Sequence, residues 1–169
     1  MSIDHGARLK ERLKELTAKH YSNIGKYGLS VQCVGGGDDG FAYTIGMVKH
    51  GLPDAIITCA DPRAAKMILN LYYEYVTDEG MFYGRNTDLI AGKDGSVLPV
   101  YVKPLDGGGE LVDYVVQALN VYQAYPQLLK GKIEFVQLML PDVNGLLPFD
   151  EGYSQETMPQ PILKGSMIS

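Results

Sequence analysis

The sequence predicts an α+β fold: a mixed, mostly antiparallel sheet of five or six strands with two packed helices, preceded by an additional N-terminal amphipathic helix. Three observations carry that expectation. Apolar and polar residues alternate with period two from Tyr27 to Cys33, and a strand resumes from Phe41 to Met47 after the glycine-rich turn Gly35–Gly40, which together make a hairpin. Apolar residues at three- to four-residue spacing mark helices at about 61–78 and 110–124. Lys132–Leu140 is apolar on both faces except at Gln137, as a strand covered from both sides would be.

Taken in order, Leu9, Leu13, Leu16 and Ile24 place an amphipathic helix in residues 1–24, with Asp4 as its cap and Glu15–Lys19 as a favourable i,i+4 pair. This helix either lies across its own domain or pairs with a second copy. Residues 25–169 form one α+β domain. Within it, Gly51 and Pro53 punctuate a turn, and Ala55–Cys59 is short, branched and apolar, as a central strand is. Asp61-Pro62 is a helix start, since Asp caps and Pro fits the first helical position. Residues 80–95 show no clean period and read as a loop with a short strand at Asp88–Ala91. Val97–Leu105 is a strand that Pro99 confines to an edge or a bulge. The Pro/Gly-rich tail from Pro141 onward is irregular, with enough apolar residues to pack down.

A chain of 169 residues, 46% hydrophobic and 21% charged, suits one globular domain, and no apolar run approaches the roughly 18 residues of a spanning helix. The first residues lack the apolar core of a signal peptide, so the expected compartment is the cytoplasm, with no membrane partner. Residues 1–26 carry six Lys/Arg against Asp4, Glu11 and Glu15, a balance of +3. The remainder carries nine bases against seventeen acids, a balance of −8. Such an acidic body repels a nucleic-acid backbone. Cys33 and Cys59 lie in apolar runs and read as buried free thiols. The Gly35–Gly40 loop joins two strands and carries Asp38 and Asp39, which argues against a phosphate loop. Neither the spacing of His5, His20 and His50 nor any other pattern calls for a metal or a cofactor.

Four features then acquire a common reading. Tyr43-Thr-Ile-Gly46, Gly51-Leu-Pro-Asp54, the run Gln137–Asp142 with Gly145 and Pro148, and Gln160-Pro161 resemble, in order and spacing, the bacterial and phage family known as domain of unknown function 4262. The resemblance covers about residues 25–163. It departs at Tyr27 and Phe149, where tryptophan is usual. It implies an α+β domain and supplies no catalytic assignment.

Candidate site residues come from chemistry alone. Tyr43, Thr44 and Gln137 are polar groups on otherwise apolar strands, and each must find a partner in the fold or in a ligand. Arg85, beside Tyr83 and before Asn86 and Thr87, suits a planar anionic molecule. Asp54 and Asp142 each follow a proline in a turn beside a strand, where two acids could converge for acid–base work with His50, or could merely order their own turns. The leading expectation is a non-enzymatic binding protein for a small polar or nucleotide-like ligand that sequesters a signal molecule. The alternative is a protein-interaction module of inhibitor or immunity type, with the first helix and acidic body as its surface and a homo-oligomer through that helix as one form. A hydrolase using the carboxylates comes third.

Overall fold

A computed structural model describes residues 4–36, 39–58 and 61–165. Helix α1 (His5–Tyr27) leads into the hairpin β1 (Ser30–Val34) and β2 (Phe41–Ile45), followed by a 3-10 turn (Met47–His50), β3 (Asp54–Thr58) and α2 (Pro62–Glu79). The hairpin β4 (Gly84–Ala91) and β5 (Val97–Pro104) comes next, then α3 (Glu110–Tyr114), α4 (Val116–Ala124) and β6 (Phe135–Met139). Among the described residues six strands form one mixed sheet in the order β1-β2-β3-β6-β5-β4, with β3 and β6 its one parallel pair. The α+β architecture with its N-terminal helix is therefore the one the sequence predicts.

Each element starts where its chemistry says. Asp61 accepts the Arg63 and Ala64 amides, at 2.8 and 3.2 Å, and Pro62 opens α2. α2 covers one face of the sheet with Ala65, Leu69 and Tyr72 against Ala42, Ala55, Ile57 and Val136. The opposite face is covered by α3, α4 and the end of α1, through Leu111, Val115, Val121, Tyr122 and Ile24 against Tyr43, Ile45, Ile56 and Phe135. β3 and β6, in the middle, are buried throughout.

Three local expectations are corrected. The first helix continues to Tyr27 and stops at Gly28, whose left-handed φ of 89° and N–H to Ile24 O (2.9 Å) form its C-cap, so Tyr27 belongs to the helix and not to the strand. Residues 84–91 are a full strand rather than mostly loop. Pro99 takes the second of its two expected positions: it lies in an internal strand, β5, opposite a bulge in β4 between Asn86 and Ile90, where no ladder donor is required. The helix expected at 110–124 breaks at Val115 (φ −99°, ψ 37°) into two. Cys59 and Asp38 lie outside the described residues; Cys33 is a half-buried free thiol, and burial raises its pKa. Among the described residues no helix is long and apolar enough to cross a membrane.

Candidate functional site

The residues that carry the family-like motifs are consumed by the fold. β2 and β3 pair as far as Tyr43 opposite Ile56 and then part. The Ala55 amide beyond that point donates to Thr44 Oγ1 (3.0 Å), so the hydroxyl proton goes to Asp54 Oδ1 (2.7 Å). On the other side the Gly46 amide donates to the Tyr122 hydroxyl (2.7 Å), which donates to Asp54 Oδ2, and Met47 N–H donates to Oδ1 (3.1 Å). Asp54 is fully buried, so three donors converge on a carboxylate with no access to water. Burial pushes its pKa up to about 7, while the Tyr122 and Thr44 hydroxyls and the Met47 amide pull it down. Gly46 (φ 105°) is required here, because a Cβ would come within 2.7 Å of Ile24 Cγ1.

A second buried set holds the tail. Gln137 donates to Pro161 O (2.7 Å) and Thr58 Oγ1 (3.2 Å) and accepts the Leu163 amide (2.8 Å). Gln160 brackets Leu140, accepting its N–H at 2.9 Å and donating to its carbonyl at 2.8 Å. Lys103, also buried, donates to Leu163 O, and burial lowers its pKa.

The other sequence candidates are dispersed. The Tyr43 hydroxyl accepts from Gln117 N (3.0 Å), and burial pushes its pKa up to about 12. Arg85 pairs with Asp150 at 2.9 Å and lies over the Phe149 ring. Asp142 accepts the Asn144 and Leu146 amides, at 2.9 and 2.8 Å, and so orders its own turn. It lies seven residues along from Phe135, the partner of Asp54, which is roughly 20 Å at the rise of a strand. Asp54 and Asp142 therefore do not share a cleft, and His50 is apart from both carboxyls, its Nε2 2.8 Å from Gly28 O and 3.2 Å from the Tyr73 hydroxyl.

That Tyr73–His50–Gly28 contact stands behind a concavity that sequence reasoning missed. β1 is an edge strand, and between it, the end of α1 and the outer side of α2 opens a groove of about 590 Å³ lined by Asn23, Tyr27, Ser30, Lys66, Asn70, Tyr73 and Glu74, among others. Its wall is tight at Gly28, where a Cβ would meet the Tyr73 hydroxyl at 2.2 Å. Its floor is fixed by a directed chain. Gln32 Nε2 donates to Cys33 O (3.0 Å), which turns Oε1 toward His20 Nε2 (2.8 Å). His20 Nδ1 is then left to accept from the Ser30 hydroxyl (2.7 Å), while Asn23 Nδ2 donates to Ser30 Oγ (3.2 Å). Burial lowers the His20 pKa, which keeps the ring neutral in this role. Ser30 and His20 are about 95% buried, so the pair braces α1 on β1.

The sequence hides the groove, because Tyr27 reads as a strand residue; with α1 running to Tyr27, Asn23 and Tyr27 are four apart on it, and Lys66, Asn70 and Tyr73 follow i, i+4, i+7 on α2. The molecule is thus a mixed α+β sheet with a polar groove at its β1 edge, and its buried acid and two glutamines serve internal bracing. The model of the family described as domain of unknown function (DUF4262) matches residues 23–154, and the chain belongs to that family. No curated protein and no solved structure matches the chain.

Proposed function

We propose that this is a non-enzymatic binding protein whose groove between α1, β1 and α2 takes a small polar, nucleotide-like ligand. The observation that carries the reading is the lining. Lys66, which makes no ion pair among the described residues, stands beside two carboxamides and two phenol rings in a volume within the usual range for small-molecule sites. Lys66 supplies a point charge for an anionic group. Asn23 and Asn70 offer donors and acceptors for a base or sugar edge, Tyr27 and Tyr73 offer ring faces, and Glu74 accepts from a hydroxyl or amino group. In this reading the protein works in the cytoplasm by holding its ligand rather than converting it, since the titratable groups behind the groove are engaged as braces.

A thermal-shift panel of nucleotides and nucleosides tests the proposal. A ligand at about 100 times its Kd stabilises the folded protein by about 2.7 kcal/mol. In a chain of this size that raises Tm by roughly 5–10 °C. The shift is expected for an anionic nucleotide and is expected to vanish in Lys66→Glu. A shift that survives both Lys66→Glu and Asn70→Ala would place the ligand elsewhere, and no shift across the panel would remove the nucleotide-like class.

A further inference from the structure

The first half of α1 stands clear of the body. Every residue from His5 to Glu15 is exposed, about 16 Å of helix. Leu9 (60% exposed), Leu13 (43%) and the half-buried Leu16 lie on one line, which continues into His20 and Ile24 where the helix meets its own domain. One apolar stripe thus has its second half buried and its first half covered by nothing among the described residues. At about 100° per residue, Arg12 and Lys19 border the stripe on one side and Lys10 on the other, while Glu11, Lys14 and Glu15 fall behind it. Two such helices laid stripe to stripe would set bases against bases, which disfavours simple helix pairing.

An apolar groove with an acidic border fits instead, and the same chain carries one. On the α3–α4 face a cavity of about 280 Å³ is lined by Leu111, Val112, Val115, Leu119, Ile133 and Phe135. Val112 is 42% exposed. Glu134 and Lys132 are in the wall; Glu110 and Asp113 flank Leu111 and Val112 on α3, and Glu110 Oε1 accepts the Lys164 amide at 3.0 Å. We propose that the α1 arm of one copy docks its Leu9–Leu13–Leu16 stripe in the α3–α4 groove of a second copy, with Lys10 and Arg12 toward Glu110, Asp113 and Glu134. Reciprocal exchange of arms closes a two-fold dimer that uses the same two surfaces twice.

Light scattering of the full chain, with Leu13→Asp and Val112→Asp variants whose folding is checked by circular dichroism, tests the docking. The wild type at about 200 µM is expected to show twice the monomer mass and to dissociate in about 0.5 M salt, and each variant alone is expected to be a monomer. An equimolar mixture of the two variants, one carrying a mass tag, is expected to cross-link as a heterodimer, because one intact arm and one intact groove remain. A monomeric wild type would overturn the proposal. So would a Val112→Asp chain that stays dimeric, which means another interface, or a mixture that gives no heterodimer.

Discussion

Replacing Asp54 by asparagine should change stability by an amount that depends on pH, and the sign follows from the buried network. The folded chain titrates Asp54 at about 7, against an ordinary value of 3.8 in the unfolded chain. Between those values the folded state holds a proton that the unfolded state has released, so this group's contribution to stability falls as pH rises. That difference corresponds to about 4 kcal/mol, of which roughly 2–3 kcal/mol falls between about pH 5 and about pH 8. Asparagine has no such titration. Its oxygen still serves Thr44 and Met47, and its amide faces the Tyr122 hydroxyl as the acid's own proton does below about pH 7, so the Tyr122–Oδ2 bond is lost only relative to the ionised carboxylate. Urea titrations of both chains are therefore expected to show the stability of the variant relative to the wild type rising by roughly 2–3 kcal/mol from about pH 5 to about pH 8. Other titrating groups, His20 among them, cancel in the difference. A gap that stays constant to within about 0.5 kcal/mol across that range would refute the reasoning.

Three further outcomes follow. Gly28→Ala should lose about 2 kcal/mol or more in a denaturant titration, since it combines a left-handed φ with a contact of 2.2 Å to the Tyr73 hydroxyl. Gln137→Leu removes the bonds to Pro161 and Leu163, so limited proteolysis should cut the C-terminal tail before the sheet, and an unchanged cleavage order would contradict the latch. Arg85→Ala should cost about 1 kcal/mol or less, with a smaller loss in high salt, because its ion pair with Asp150 is partly exposed and its packing over Phe149 is insensitive to salt.

The sheet was legible because its central strands answer to one demand, burial. Apart from Thr58 and Gln137, Ala55–Thr58 and Phe135–Met139 are apolar whichever way they face, and Asp61-Pro62 writes the start of α2 locally. β4 was not legible, because it is an edge strand whose polar residues lean on solvent and on Tyr75, and half-exposed strands lose the period-two mark. The break at Val115 leaves no trace in an apolar spacing that runs unchanged from Leu111 to Tyr122. The candidate residues were chosen as polar groups in apolar surroundings, and buried polar groups are the ones a fold must satisfy internally. Thr44, Asp54 and Gln137 obey that rule, and Tyr43 finds the Gln117 amide. The groove draws its side chains from three elements far apart in sequence, and only the topology assembles them.

Native mass spectrometry of the protein as purified from cells tests the binding account most directly, since it reads mass and retained ligand together. A wild-type chain that releases a small anionic molecule on gentle denaturation, beside a Lys66→Glu chain that carries none, is the result the account requires. A wild type free of ligand, with masses identical before and after denaturation and no uptake from a cell extract, would contradict it.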